Sequence, residues 1–357
     1  MARALKAFIN SFALHRNLVK VREITQNKKV LAMIKANGYG HGIVNVAKSL
    51  QEADAFGVAC IEEAVELREA GIQNRIVLME GFFDAEAELP EIFRLNLEPV
   101  VHHESHIGAL ASCENPLRIW LKINTGMNRL GFPVDLVHPI RAKIAENPAL
   151  SIAGYLTHFA KADEVDNPFT QRQIEKFEAT IQHLPEEKSL ANSAAILAVK
   201  NSHGDWVRPG IMLYGVSPFP KRHGALEGLI PVMSLRSALI AIQSLAKGEI
   251  VGYGGDFVCP HAMRIGVVAV GYGDGYPRLA PTGTPILVNG KRTVLVGRVS
   301  MDMVAVDLNA QPEAKVGDIV ELWGEKLPVE TVAEAIGTTA YELLTGLSTR
   351  VPLEIIG

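Results

Sequence analysis

The chain has 357 residues, 48% of them hydrophobic, enough to bury the cores of one large and one smaller domain. Its 35 basic and 39 acidic side chains give a formal net charge of -4, which argues against attraction to nucleic acid or to a membrane surface. The three cysteines are sparse, the N-terminus lacks a signal-like apolar stretch, and no run of eighteen apolar residues occurs. We therefore expect a cytoplasmic protein without a membrane span.

Short apolar runs alternate with helical patterns over the first two-thirds of the chain. Residues 61–70, for example, have apolar positions three and four apart, and Gly71 follows where a helix ends. Such alternation is typical of a parallel sheet buried on both faces, and eight units predict an α/β fold of the (β/α)8 TIM-barrel type. A doubly wound open sheet is the alternative, although the chain has no G-x-G-x-x-G turn. The apolar runs lie at 30–34, 55–59, 75–79, 97–101, 117–121, 152–156, 188–191 and 206–213.

A turn-rich linker at 218–224 precedes a change to β-rich patterns. Two apolar runs flank Asn289-Gly290, a strong hairpin signal, and further strands are predicted at 303–308 and 318–322. One helix is predicted at 329–344. We therefore predict a barrel domain at 1–224 and a smaller, mainly β domain at 225–357.

Lys35 directly follows the first predicted barrel strand. The carboxyl ends of barrel strands are where such folds place their chemistry, and partial desolvation there makes an amine usable as a nucleophile toward a carbonyl. The glycines of segment 37–42 would let the backbone run close to a ligand. A solvated lysine at a strand end is the alternative.

Residues 32–42, Ala-Met-Ile-Lys-Ala-Asn-Gly-Tyr-Gly-His-Gly, resemble the motif that carries pyridoxal 5'-phosphate (PLP) in alanine racemases. The resemblance spans nearly the whole chain and implies a PLP-binding barrel, a β domain, a homodimer, and interconversion of L- and D-alanine. Five further segments resemble family segments in the same order, at 125–131, 208–215, 252–256, 271–276 and 297–302.

The cofactor phosphate requires hydrogen-bond donors. Ser193 follows the seventh predicted strand, while Gly210 and Ile211 lie on or just after the eighth, where barrels usually bind phosphate. The resemblance adds the hydroxyls of Tyr39 and Tyr341. A helix N-cap is the alternative role for Ser193.

By resemblance, Arg208 faces the pyridine nitrogen of the cofactor and His158 supports Arg208. An arginine is effectively always protonated, so it donates a hydrogen bond without transferring its proton. A weakened electron sink of this kind suits an enzyme that only moves a proton. The alternatives are an Arg208 paired with an acid such as Asp205 and an ordinary buried histidine at position 158.

Racemisation removes a proton from one face of Cα and adds one to the other. The resemblance implies Lys35 as the base for D-alanine and Tyr253 of the partner subunit as the base for L-alanine. Tyrosine normally ionises only at alkaline pH, so it needs a cation such as Arg129, which by resemblance also binds the substrate carboxylate. The resemblance further implies a backbone contact to that carboxylate from Met301 of the second subunit. It also implies a Lys122 that is carbamylated in some family members and would orient Arg129.

Three histidines and a glutamate occur at 102–106. His103 and His106 could share a helix face and bind a metal, but we favour a solvated loop and expect no metal. Three rivals remain: a broad-specificity racemase or decarboxylase on the same scaffold, a non-catalytic PLP-binding barrel, and a metal enzyme. D-alanine for peptidoglycan and alanine catabolism are both compatible physiological roles.

Overall fold

The structure is a computed structural model that describes residues 3–357. Met1 and Ala2 lie outside the described residues. Both belong to the predicted domain 1–224 and to the N-terminal stretch that lacks a signal-like pattern. Eight parallel strands form a closed barrel. The barrel strands are Lys29–Met33, Ala55–Val58, Arg75–Leu78, Leu97–Val101, Leu117–Asn124, Leu150–Leu156, Glu187–Asn192 and Trp206–Arg208.

The barrel closes because each strand hydrogen-bonds to a neighbour on both sides. Trp206 pairs with Lys29 to join the last strand to the first. Strands such as Ala55–Val58 are buried throughout, with side chains filling the barrel on one face and helices covering the other. The (β/α)8 prediction is confirmed. The helices of this part are Ser11–Thr25, Ile43–Ser49, Ile61–Glu69, Ala85–Arg94, Glu104–Leu110, Val137–Ala145, Phe169–Ile181 and Ser193–Ala198.

The eighth strand is shorter than predicted. It ends at Arg208, because Pro209 has no N–H with which to continue the ladder, and the chain passes into the 3-10 helix Ile211–Tyr214. The run 206–213 is therefore a short strand followed by a turn that bends across the mouth of the barrel.

The C-terminal part is mainly β, as predicted. Met233–Leu245 pairs with both Ile319–Trp323 and Met263–Val268, so six strands form a second closed ring. Ile250–Val251 and Phe257–Val258 pair with each other in a small separate ribbon. The sheet strands are Lys6–Asn10, Met233–Leu245, Met263–Val268, Pro285–Val288, Lys291–Val296, Val304–Asp307, Ile319–Trp323 and Leu353–Ile356.

The first strand of the chain joins this second sheet. Lys6–Asn10 runs antiparallel to Met233–Leu245 and parallel to Leu353–Ile356. In space, therefore, the N-terminal strand lies with the C-terminal sheet although it precedes the barrel in sequence. The domain limits of 1–224 and 225–357 remain a prediction.

Two local predictions in the C-terminal part have different outcomes. The hairpin at Asn289-Gly290 is confirmed, with both residues at positive φ as a type I′ turn requires. The single helix at 329–344 is wrong: Val329–Ile336 and Ala340–Thr345 are separate helices. Gly337, at φ 83°, ends the first in the left-handed conformation that suits a helix C-terminus. Among residues 3–357 no helix is long and apolar enough to cross a membrane.

Candidate active site

A cavity of about 720 Å³ opens at the carboxyl ends of the barrel strands. Such a position is where barrel enzymes place their catalytic groups. The structure brings together at this cavity all the predicted site residues of the barrel and one from the C-terminal part. They are Lys35, Tyr39, Lys122, Arg129, His158, Ser193, Arg208, Gly210, Ile211 and Tyr341.

The chain makes a left-handed turn immediately after Lys35. Residues 36–39 have φ between 51° and 60°, including the non-glycine residues Ala36 and Tyr39. Each such residue with a Cβ costs about 1–2 kcal/mol, so the surrounding contacts must hold the turn in place. The turn places both Lys35 and Tyr39 in the lining of the cavity.

The prediction that the glycines of 37–42 approach a ligand is wrong. None of them lines the cavity. Gly38, at φ 60°, belongs to the left-handed turn, and a Cβ on Gly40 would lie 2.0 Å from the carbonyl oxygen of Leu344. Gly40 therefore lets the turn pack closely against the helix Ala340–Thr345, which carries Tyr341 into the cavity.

Two residues that sequence analysis missed support the turn. Glu63 accepts hydrogen bonds from the N–H of Asn37 at 3.3 Å and from that of Ala59 at 2.8 Å. Tyr214 stacks on the Tyr39 ring with centroids 4.6 Å apart. Neither residue type carries a sequence signal for these contacts, since both depend on the folded barrel.

Ser193 and Gly210 meet at one end of the cavity. The Ser193 Oγ accepts from the N–H of Gly210 at 2.9 Å, whereas Asn192 caps the helix Ser193–Ala198. The N-cap alternative for Ser193 is therefore wrong. A Cβ on Gly210 would lie 2.5 Å from the Tyr39 hydroxyl, so only glycine leaves room for that hydroxyl here.

Both tyrosine hydroxyls at this end stay protonated. Burial raises the pKa of Tyr39 to about 12. Burial also raises the pKa of Tyr341, with further contributions from Tyr39 and Asp163. Asp163, which sequence analysis did not identify, lines the same cavity. Two neutral hydroxyls are thus available as hydrogen-bond donors.

Arg208 is buried without a carboxylate partner. Its guanidinium donates to the carbonyl oxygens of Ser189 at 2.7 Å and Leu190 at 3.1 Å, and to that of Thr157. Throughout the described chain no acid pairs with it, and Asp205 instead accepts the N–H of Lys188, so the Arg208–Asp205 alternative is wrong. The Arg208 Nε–H has no acceptor within residues 3–357. Burial lowers the pKa of Arg208 to about 10, which leaves it cationic at neutral pH.

His158 is held neutral beside this cation. Its Nδ1 lies 3.4 Å from an amino nitrogen of Arg208. Burial, and then the charges of Arg208 and Arg129, lower its pKa well below the usual range. The unprotonated Nδ1 can therefore accept from Arg208.

Lys122 lines the cavity together with the basic side chains of Lys35, Arg129 and Arg208. Burial is the main reason that its pKa falls to about 8, followed by the charges of Arg208, Arg129 and Lys35. Glu80, an acid that sequence analysis did not identify, lines the cavity and acts in the opposite direction. A substantial share of neutral Lys122 amine is therefore present at slightly alkaline pH.

Tyr253 and Met301 do not line the cavity. Tyr253 lies in the ribbon turn between Val251 and Phe257, with 71% of its surface exposed. Met301 is 52% exposed on a neighbouring loop of the C-terminal part. Within one chain the structure therefore does not bring these two residues to the other predicted site residues.

The histidine-rich segment is not a solvated loop. His102 hydrogen-bonds to the carbonyl oxygen of Glu80 at 2.9 Å, and His106, which is buried, to that of Phe82 at 3.1 Å. Both contacts support the loop after the third barrel strand. In the part of the chain that the structure describes, no group of three His, Cys, Asp or Glu side chains could hold a metal ion.

Two family sequence models cover most of the chain. The model of the alanine racemase N-terminal domain matches residues 9–218, and that of the C-terminal domain matches 232–355. The chain belongs to the alanine racemase family. The alanine racemase of Shewanella frigidimarina is 47% identical over 367 residues, covering 98% of each chain. That of Coxiella burnetii is 47% identical over 353 residues, covering 97% of each.

Solved structures of alanine racemases have the same fold. The crystal structure of the biosynthetic alanine racemase from Pseudomonas aeruginosa gives a TM-score of 0.96 at 43% identity, covering 99% of this chain and 100% of that one. The alanine racemase from Acinetobacter baumannii gives a TM-score of 0.92 at 39% identity, with the same coverage. The barrel and the β domain are thus those of the alanine racemase family.

Proposed function

We propose that the chain interconverts L- and D-alanine with PLP by a two-base mechanism. Lys35 is the base on one face of Cα, and Tyr253 of the partner subunit is the base on the other. The observation that carries this proposal is one cavity at the barrel mouth, where most of the predicted cofactor and substrate residues lie together with Lys35. Family membership supports the choice of alanine.

The residues at one end of the cavity fit the phosphate of PLP. Ser193, Tyr39 and Tyr341 supply neutral hydroxyl donors, and the N–H of Ile211 lies in the first turn of a 3-10 helix, where no intrahelical acceptor is available. Anionic ligands favour such clusters of donors. The missing Cβ of Gly210 keeps the space beside the Tyr39 hydroxyl open.

Arg208 and its neighbours fit a neutral ring nitrogen. Arg208 keeps one N–H without an acceptor among the described residues, and its carbonyl contacts and His158 fix its orientation. When bound, PLP withdraws electrons from the substrate Cα and so makes its proton removable. A permanently protonated arginine can only donate to the ring nitrogen, which limits that withdrawal and disfavours side reactions.

Two side chains, one from each subunit, carry out the proton transfers. The Lys35 Nζ removes or returns the proton of D-alanine, and the Oη of Tyr253 of the partner subunit that of L-alanine. Tyr253 is too exposed in a single chain to exclude water from a reacting Cα. We therefore propose a homodimer in which each barrel mouth is completed by the other subunit's β domain.

Arg129 and Met301 bind the substrate carboxylate in this proposal. Arg129 lines the cavity and has no salt-bridge partner within residues 3–357. A carbamylated Lys122 would supply the negative partner that orients Arg129, and the neutral fraction of its amine is the form that reacts with carbon dioxide. We propose that this modification occurs.

We propose that the protein works in the cytoplasm, where its three free cysteines remain reduced. D-alanine for peptidoglycan precursors and alanine catabolism both remain compatible with the site. Neither role changes the chemistry at Cα.

The shared site is tested with heterodimers. Lys35→Ala and Tyr253→Phe chains carrying different affinity tags are co-expressed and the mixed dimer is isolated, with each variant homodimer as a control. One mixed-dimer site carries both lesions and the other carries neither, so we expect about half of the wild-type alanine racemisation per dimer. Activity no greater than that of the two homodimers would reject the shared site. Full racemisation by Lys35→Ala alone would reject Lys35 as the catalytic lysine.

A further inference from the structure

The segment 271–276 resembles a family segment but has no role in the proposed reaction. Its centre is Asp274, whose side chain is completely buried. The Asp274 carboxylate accepts the N–H of Gly271 at 2.9 Å and forms ion pairs with Arg3, at 2.7 Å from Oδ2, and with Arg350, at 3.5 Å from Oδ1. A buried carboxylate paired with two arginines forms strong charged hydrogen bonds that hold the surrounding backbone in place.

The same two arginines also bind Asp302. Arg3 donates to the Asp302 carbonyl oxygen at 2.9 Å, and Arg350 donates to its Oδ1 at 2.6 Å. Asp274 is therefore linked twice, through charged hydrogen bonds, to the residue that directly follows Met301.

Backbone contacts fix the other side of Met301. The N–H of Tyr272 donates to the carbonyl oxygen of Ser300 at 3.0 Å, and that of Gly273 to the carbonyl oxygen of Met301 at 2.8 Å. A Cβ on Gly271 would lie 2.3 Å from that same Met301 oxygen, so only glycine allows the two segments to pack this closely. The Met301 carbonyl is thus occupied, whereas its N–H has no acceptor within residues 3–357.

We propose that Asp274, Arg3 and Arg350 are positioning residues that present the free N–H of Met301 to the substrate carboxylate in the barrel mouth of the partner subunit. The inference rests on the proposed function, since Met301 reaches a substrate only in a shared site. These three residues act through the loop 300–302 and do not contact substrate. A purely structural ion cluster is the competing explanation, and it predicts a change in stability without a change in substrate binding.

Arg350→Met is the preferred variant. The Arg350 side chain is 45% exposed, so its loss is tolerated better than a change at buried Asp274. Arg236→Met is the matched control, because Arg236 pairs at 3.4 Å with the buried carboxylate of Glu321, is 37% exposed, and contacts neither segment.

We expect Arg350→Met to raise the KM for L-alanine roughly tenfold, about the value of one hydrogen bond to a charged group, with less than a threefold change in kcat. Binding of propionate, a carboxylate without the amine, should weaken by a similar factor in calorimetry, whereas PLP affinity stays unchanged. Arg350→Lys should recover part of the loss. Arg236→Met should leave KM and propionate binding at wild-type values. An unchanged KM in Arg350→Met, or an equal rise in Arg236→Met, would overturn the inference.

A mixed dimer then tests whether the effect crosses the interface. When an Arg350→Met chain is paired with a Lys35→Ala chain, the only working barrel is completed by a β domain with intact Arg350, so its KM should return to the wild-type value. A KM that stays raised would overturn the inference. The mixed dimer of Lys35→Ala and Tyr253→Phe is the reference: if it is inactive, the shared site fails and this inference with it. If it is active while KM stays raised, only this inference fails.

Discussion

At the scale of single residues, the site gathers four basic side chains against two acids, Glu80 and Asp163. Lys35, Lys122, Arg129 and Arg208 line one cavity. Arg208 is stabilised by carbonyl oxygens rather than by a carboxylate, and Lys122 responds to the same surroundings with a lowered pKa. In the proposed function the cavity lined by these basic side chains binds anions, namely a phosphate and a substrate carboxylate.

The pKa of Lys122 has a consequence for stability. Folding lowers this pKa from 10.5 to about 8, so the unfolded chain binds more protons between these values and stability should rise with pH across that window. In buffer free of carbon dioxide, Lys122→Met should therefore raise Tm at pH 7 by more than it does at pH 10. The control is Lys143→Met on the helix Val137–Ala145, where the side chain is exposed and lies outside the cavity, so its Tm change should be small. Equal Tm changes for Lys122→Met at both pH values would contradict this explanation.

The reaction of the Lys122 amine with carbon dioxide gives a second way to test its state. The neutral amine forms a carbamate, which would convert a buried cation among cations into an anion. At pH 8, ¹³C-bicarbonate should give a carbamate signal in the NMR spectrum and raise Tm in the wild-type protein, and both effects should disappear in Lys122→Met. A signal that persists in Lys122→Met would assign the modification to another residue.

At the scale of elements, the left-handed turn after Lys35 links the barrel to the helix that carries Tyr341. Gly40 has φ 80° and no space for a Cβ, whereas Gly71 has φ 81° and nothing within 4 Å. Alanine at Gly71 should cost about 1–2 kcal/mol of unfolding free energy from backbone strain alone. Alanine at Gly40 should cost several kcal/mol more and weaken PLP binding, because it pushes the turn away from Leu344.

Denaturant unfolding and PLP titration of the two alanine variants test this comparison. Because Gly40 and Gly71 have nearly equal φ values, the backbone strain is the same in both variants. The difference between their losses of unfolding free energy therefore reports the contact with Leu344. Similar losses of stability, together with wild-type PLP affinity in Gly40→Ala, would show that the contact does not hold the turn.

The sequence predicts some elements better than others. The barrel strands were predicted because a parallel strand buried on both faces is a continuous apolar run. The left-handed turn was not, because Ala36 and Tyr39 have no propensity for positive φ and adopt it only through contacts such as that of Glu63 with Asn37. The break at Gly337 was missed because apolar spacing continued across it, although glycine and Thr339 were both visible as end and start signals.

At the scale of the whole molecule, chain order and spatial order diverge. The strand Lys6–Asn10 lies in a sheet formed mainly by residues more than two hundred positions away, and local patterns carry no information about such pairing. Lys35, Ser193, Gly210 and Ile211 could be predicted from position, because each lies at or just after the carboxyl end of a barrel strand. The other site residues rested on resemblance. Of these, Tyr253 and Met301 remain exposed within one chain.

The proposed catalytic unit is therefore the dimer. In this proposal one chain supplies the cavity, the cofactor contacts and the Lys35 amine, while its own Tyr253 is exposed and does not line that cavity. The two bases should then act on opposite enantiomers and be separable by mutation.

Deuterium release from Cα tests this two-base claim most directly. Alanine deuterated at C2, as the L- or the D-enantiomer, is incubated with PLP-loaded protein in ordinary water, and loss of deuterium is followed by NMR. The wild-type protein should release deuterium from both enantiomers. Tyr253→Phe should still release it from D-alanine, through Lys35, while L-alanine keeps its label and no net racemisation occurs. Release from L-alanine by Tyr253→Phe at the wild-type rate would contradict the account.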